Sequence, residues 1–242
     1  MPTYGDIARL RAFSVPALAA AVEAFGVVAP NEGFTVGQLH CHQSVPRTAV
    51  GLAVTVRVTT DRAPADAPPP VDDDAYWHFV EHAEGPTKFV VVQDLDDPPG
   101  GAVWGEGIAS LHMAFACIGT ITQGAVRDID ALTRRGFDVF ATTTTAGRGY
   151  GTIVDFGEPV DVAGLTIATG DLLAADQHGV LRIPDIPIDE LLQVADQVSR
   201  LEFELFARSQ SPHFDRSTLP ELTQEVRDRW PRPNLETDDG AG

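Results

Sequence analysis

The chain has 242 residues, 43% of them hydrophobic, enough for one large domain with its own core. It contains no apolar run of the roughly 18 residues that a membrane-spanning helix needs. Against 17 Lys and Arg stand 35 Asp and Glu, a formal charge of −18, so nucleic acid is excluded as a partner on electrostatic grounds.

The same charge repels small anions. An anionic substrate would therefore need a few arginines that build a local positive site against the global field. Cys41 and Cys117 are too few for a disulfide framework and fit a reducing cytoplasm. The N-terminus, MPTYGDIARLRAF, lacks a basic region followed by an apolar core, so a secretory signal is not expected.

In chain order, residues 14–26 place Ala, Leu, Val and Phe at helical spacing, with Ser14 as N-cap and Gly26 as stop. Residues 50–58 (VGLAVTVRV) read as a β-branched strand, followed by a Pro- and Asp-rich surface connector. Residues 72–84 predict a short helix with acids in its first turn, and 88–93 (KFVVVQ) a short apolar strand. A turn-rich loop over 94–101 leads into a helical pattern over 104–117, then a strand over 119–123. A short helix over 128–135 ends at Gly136, and 138–145 is a further strand.

Three short strands with Gly-Asp turns are expected between 157 and 184, and a long amphipathic helix over 187–209. The alternation of strands and helices implies a parallel or mixed sheet with helices on its faces, plus a smaller β layer from the late strands. The expected organisation is one domain over 1–209 and an extension over 210–242, its acidic tail 236–242 disordered.

Two stretches carry chemistry. Gly105-Glu106-Gly107-Ile108 falls between a strand and a helix, where free backbone N–H groups and the helix dipole bind carboxylate or phosphate oxygens. Arg127-Asp128 follows a strand at the start of another helix, and ligands of open α/β sheets collect outside such strand ends. Arg offers a planar fork that binds a carboxylate bidentately, and Asp a hard oxygen for Mg²⁺ or Mn²⁺. Together they could hold a 2-oxo acid against a Lewis-acidic metal. The dipeptide by itself also suits an N-cap beside a surface charge. The Gly-x-Gly lacks the third glycine of a dinucleotide fingerprint.

The runs GGAVWGEGIAS, GAVRDIDAL and GDLLAADQHGVLRIP resemble the RraA-like family, over roughly residues 45–205. That family includes 4-hydroxy-4-methyl-2-oxoglutarate aldolase and 4-carboxy-4-hydroxy-2-oxoadipate aldolase, which also decarboxylate oxaloacetate. The resemblance implies an α/β fold, a layered α/β/α swivelling-domain-like structure with mixed sheets. It also implies a homotrimer or homohexamer with sites between subunits.

By the same resemblance Gly105, Glu106, Gly107 and Ile108 contact substrate, and Arg127 binds it. Asp128 holds Mg²⁺ or Mn²⁺, commonly through water, and Glu106 is the candidate for proton transfer. Glu202 or Glu204 of a neighbouring subunit completes the site. The family also contains non-catalytic regulators that bind a ribonuclease, which typically lack the metal-holding Asp; Asp128 favours the enzyme.

The chain departs from the aldolase pattern in having Ala131 three residues after Asp128, with Asp130 one step early, and Gly107 where a bulkier residue is common. The loop 146–151 (AGRGYG) is also unusual, and these departures bear on the substrate more than on the metal.

Competing constellations are weaker. His78, Glu81 and His82 match the His-x-x-Glu-His pattern of inverted zinc peptidases but lack a third ligand later in the chain, and they read as a solvated helix face. His40 and His42 point the same way on a strand without a partner set, and His178 reads as part of a structural turn. There is no Gly-x-Ser-x-Gly elbow, so nucleophilic hydrolysis has no support.

Overall fold

The computed structural model describes residues 1–37, 39–43, 46–63 and 65–232; the tail 236–242, expected to be disordered, lies outside the described residues. Two compact units form: Met1–Val15 with Asn31–Ile183, and Pro16–Pro30 with Pro184–Gly242. The domain expected over 1–209 takes in parts of both. No helix among the described residues is long and apolar enough to cross a membrane.

The first unit opens with α1 (Tyr4–Leu10), a helix the apolar periodicity did not announce. Its start is set by a capping box. Thr3 Oγ1 accepts the Asp6 N–H at 3.2 Å, while the Asp6 carboxylate accepts the Thr3 N–H at 2.8 Å.

Four parallel strands form the centre of one mixed sheet: β2 (Ala49–Thr59), β3 (Lys88–Asp94), β5 (Cys117–Val126) and β6 (Asp138–Thr144). Antiparallel additions close in around them. The three-residue β1 (His40–His42) pairs with β6, and β7 (Thr152–Phe156) pairs with β2. The hairpin of β10 (Leu172–Asp176) and β11 (Gly179–Ile183) pairs with the start of β2, on the same edge as β7 and opposite β3. A short parallel strand, β4 (Ala102–Trp104), pairs with the end of β5.

Alternation along β3 shows why its near-continuous apolar run is a strand. Val90 and Val92 face one core cluster, which includes Tyr76, Val80, Ala109 and Leu132. Phe89 and Val91 face the other, with Val160, Val162, Leu165 and Ile167 of the hairpin β8 (Val160–Val162) and β9 (Leu165–Ile167). The helices α3 (Asp73–His82), α4 (Glu106–Met113) and α5 (Ile129–Arg134) contribute to the first cluster. Each Val or Phe fully buried in these layers contributes about 1.5–3 kcal/mol of transfer free energy.

The second unit contains α2 (Val15–Phe25, all but its first residue), the 22-residue α6 (Ile188–Ser209) and α7 (Leu219–Arg229). The extension expected over 210–242 carries α7. An Arg208–Glu225 ion pair at 2.6 Å and an Arg229–Glu204 pair at 2.7 Å join it to α6.

A correction concerns residues 104–117. Only Glu106–Met113 is helical; Trp104 ends β4 and Cys117 begins β5. The apolar residues at both ends of this stretch match a helical period by coincidence, because sheet pairing claims them first.

Candidate functional site

β4 builds the site. Ala102 pairs with Ala125 and Trp104 with Val126, and the Arg127 N–H donates to the Trp104 carbonyl at 3.0 Å. This ladder lays the Gly105 and Arg127 loops side by side. A register shift in β5 between Thr122 and Ala125 precedes the loop, and such irregularities re-aim strand ends.

At the end of β5 the backbone turns sharply. Asp128 has φ 60° in the left-handed region, which Asp tolerates better than most side chains. It stands at the N-cap of α5, yet its side chain does not cap that helix. Instead Asp128 Oδ2 accepts the N–H of Glu106, the first residue of α4, at 3.1 Å. The N-cap position of α4 is Gly105, which has no side chain to do this. Gly105 is extended (φ −164°), and its use is space: a Cβ there would lie 2.8 Å from Asp128 Oδ2 and 3.1 Å from Arg127 Nε.

Arg127 Nε lies 3.6 Å from Asp128 Oδ2, and both side chains are more than a third exposed, so this contact adds little stability. Arg127 lines a cleft of about 490 Å³ together with Gly105, Gly107 and Ile108. The cleft's walls are apolar (Val56, Val58, Val92, Ile153), and its further polar groups are Arg148, Tyr150 and Tyr76. Among the described residues no carboxylate lines it, although Asp128 adjoins Arg127. In a chain with this excess of acid, that makes the cleft a positive enclave suited to an organic anion.

Trp104 also lines the cleft, is 3% exposed, and its indole N–H has no hydrogen-bond partner among the described residues.

Behind Tyr76 sits His112, fully buried. His112 Nδ1 lies 2.8 Å from the Ile108 carbonyl, which can only accept, so Nδ1 carries the proton. Nε2 of the neutral ring then accepts the Tyr76 hydroxyl at 2.7 Å. Burial pushes the His112 pKa down to about 4, against a smaller upward pull from the Ile108 bond. Tyr76 is raised above its ordinary value, chiefly by burial.

The expected residues are therefore only partly brought together. Gly105, Gly107, Ile108 and Arg127 share the cleft, and Asp128 adjoins it through Arg127 and Glu106. The Glu106 carboxylate is held by Arg135, whose Nη2 and Nε donate to Oε1 at 2.6 and 2.9 Å. Glu202 and Glu204 lie exposed on α6 in the second unit, where Glu204 pairs with Arg229.

Arg148, Tyr150, Tyr76 and Trp104 were not singled out by sequence. The one signal was the unusual AGRGYG loop that contains the first two.

The other constellations resolve simply. His78, Glu81 and His82 bring ligand atoms within 4.8 Å of one another on an exposed helix face, and no other such group of three forms among the described residues. His40 and His42 thus gather no ligand set among those residues. His178 is pinned by Asp176 Oδ1, 3.0 Å from its Nδ1 and 2.8 Å from its N–H, in the turn between β10 and β11.

The sequence matches the family described as RraA-like, Aldolase/RraA, over residues 6–182. It is 30% identical over 107 residues to a Halalkalibacterium halodurans protein named as a candidate 4-hydroxy-4-methyl-2-oxoglutarate aldolase, covering 44% of this chain and 51% of that protein. It is also 30% identical over 109 residues to the protein DlpA of Legionella pneumophila, covering 44% and 18%. The chain thus spans about half, or less, of the length of these two relatives.

Among solved structures, an uncharacterised protein from Pseudomonas syringae aligns with TM-score 0.68 and 18% identity over 93% of this chain and 95% of that one. Streptomyces coelicolor RraAS2, described as an unusual member of the RNase ES inhibitor RraA family, aligns with TM-score 0.64 and 19% identity over 86% and 98%. At these identities the likeness is one of fold.

Proposed function

The chain belongs to the RraA-like family, and on that premise we propose that it is a divalent-metal-dependent carbon–carbon lyase that cleaves a 2-oxo dicarboxylic acid to give pyruvate. The observation that carries this reading is Arg127 in a mostly apolar cleft, beside the first turn of α4 and the Asp128 carboxylate. The aldolase name of the Halalkalibacterium relative supports it.

Arg127 binds the carboxylate next to the ketone with its planar fork. The first-turn N–H groups of α4 at Gly107 and Ile108 have no partner within the helix, so they face substrate oxygen with the helix dipole behind them. The apolar walls exclude water and strengthen both contacts.

The donor chemistry fits Mg²⁺ or Mn²⁺. Asp128 offers a hard oxygen on a half-exposed side chain, leaving room for the water shell that Mg²⁺ keeps, and it would hold the ion directly or through water. When bound, the ion supplies Lewis-acid polarisation of the keto oxygen. Glu106 is the proton-transfer group, its carboxylate positioned by Arg135. In a homotrimer or homohexamer, Glu202 or Glu204 of a neighbouring subunit completes the site. Phe203 and Phe206 beside them, 70% and 62% exposed, support a subunit contact on this helix.

The second reading is a non-catalytic regulator that binds a ribonuclease. It draws on the description of the Streptomyces neighbour, and Asp128 weighs against it.

The test is pyruvate release from oxaloacetate and from 4-hydroxy-4-methyl-2-oxoglutarate, coupled to lactate dehydrogenase, with the protein-free metal rate subtracted. Turnover of either above the blank supports the lyase. No turnover by folded protein, with capture of a ribonuclease, reverses the order of the two readings.

A further inference from the structure

We propose that Arg148 is a specificity-determining residue, binding the far carboxylate of a 2-oxo dicarboxylate whose near carboxylate is on Arg127. The inference rests on the lyase reading for the identity of the near end.

Both arginines line the same 490 Å³ cleft, and no Asp or Glu of the described residues lines it with them. Among the described residues Arg148 has no ion-pair partner, whereas Arg57, Arg135, Arg208 and Arg229 each hold a carboxylate within 2.7 Å. Arg148 is exposed and solvated, so its fork of donors is open to an arriving carboxylate. Arg127 keeps only a loose contact with Asp128, at 3.6 Å, and two guanidiniums in one cleft suit a ligand with two carboxylates, separated by a short chain that meets the valine walls.

The loop that carries Arg148 is fixed in place. The Ala102 N–H donates to the Gly147 carbonyl at 2.8 Å, and the Tyr150 N–H donates to the Thr60 carbonyl at 2.9 Å. Between these anchors the chain passes Gly101 so closely that a Cβ there would meet Gly149 N at 2.2 Å. Gly149 has φ +58° and would bring a Cβ to 2.4 Å from the Thr60 carbonyl. Glycine is thus required on both sides of the crossing.

The Thr60 anchor is itself held. Asp96 Oδ2 accepts the Thr60 and Asp61 N–H groups at 2.7 and 2.9 Å, and Thr60 Oγ1 donates to Asp94 at 2.8 Å. An arginine on a preorganised loop loses little entropy when it binds, which is what specificity between similar acids requires.

The test uses full-length protein with Mg²⁺ and a matched pair of probes, 2-oxoglutarate and 2-oxopentanoate, which share a carbon skeleton and differ by the far carboxylate. Calorimetry of the wild type is expected to give roughly tenfold to hundredfold tighter binding of 2-oxoglutarate, the value of a charge-assisted hydrogen-bonded pair. In Arg148→Gln the ratio is expected to fall to near one, and Arg148→Lys to restore part of it. A merely structural role would weaken both probes together and leave the ratio unchanged.

An unchanged ratio in Arg148→Gln overturns the proposal, as does a wild type that binds both acids equally; either leaves the lyase reading standing. A wild type that binds neither acid overturns the lyase reading, and this inference with it.

Discussion

The Asp128 carboxylate caps α4 by accepting the Glu106 N–H at 3.1 Å, from a residue 22 positions further along the chain. One side chain therefore couples the two loops of the site, and it does so from a left-handed backbone at φ 60°. Asp128→Ala removes the cap and places an alanine in that conformation, for an expected loss of about 1–3 kcal/mol. Asp128→Asn keeps an acceptor oxygen and a residue that tolerates the left-handed region, so under about 1 kcal/mol is expected. Urea denaturation of the two variants checks the difference.

Gly105 and Gly107 stand two residues apart and should respond oppositely to alanine. At Gly105 the new Cβ would crowd Asp128 Oδ2 at 2.8 Å and Arg127 Cγ at 3.1 Å, displacing both site residues. At Gly107, inside α4, it would meet nothing within 4 Å. Gly105→Ala should fold and lose at least about tenfold in kcat/KM, since misplacing such groups by an ångström costs up to ~100-fold. Gly107→Ala should gain about 0.5–1 kcal/mol in thermal unfolding.

His112 gives the fold a pH dependence with a definite sign. Its pKa falls from 6.5 to about 4 on folding, chiefly through burial. Above pH 6.5 both states hold a neutral ring, and the stabilisation is fully present. As pH drops from 6.5 towards 4 the unfolded chain takes up the proton first, and stability is lost, by on the order of 3 kcal/mol once pH is below the folded pKa. Stability of wild type and His112→Gln measured from pH 7.5 to 4 should converge as acid is added. A wild type losing no more stability than the variant would contradict the assignment.

Glu106 and Arg135 pair at 2.6 Å, with side chains 40% and 50% exposed. Their contact should be worth under about 1 kcal/mol. Glu106→Gln is thus expected to leave the unfolding midpoint nearly unchanged while lowering kcat by ~100-fold or more, if proton transfer passes through this carboxylate. Equal effects on both would place Glu106 in the scaffold alone.

The elements that carry their own pattern were legible in the sequence: the β-branched runs of β2 and β3, the acid-headed α3, the amphipathic α6. The loops of the site were singled out through the family resemblance, because Arg127-Asp128 alone also suits an N-cap and the Gly105 turn lacks the third glycine of a fingerprint. What could not be read were features created by pairing between distant segments. β4 is three residues that become a strand only against β5. Asp128 looked like a cap for its own helix, and nothing local shows that its carboxylate reaches α4 instead. Arg148 belongs to the cleft because Gly101 and Gly149 let two backbones cross, a contact between segments nearly fifty residues apart in the numbering.

Pyruvate release from oxaloacetate by Asp128→Asn beside wild type, each with and without Mg²⁺ or Mn²⁺ and with the metal-only rate subtracted, decides whether Asp128 serves the chemistry. Metal-dependent turnover is expected in the wild type, and a rate indistinguishable from the blank in the folded Asp128→Asn variant. Equal metal-dependent turnover in both proteins would remove Asp128 from the chemistry and overturn the lyase mechanism built on it.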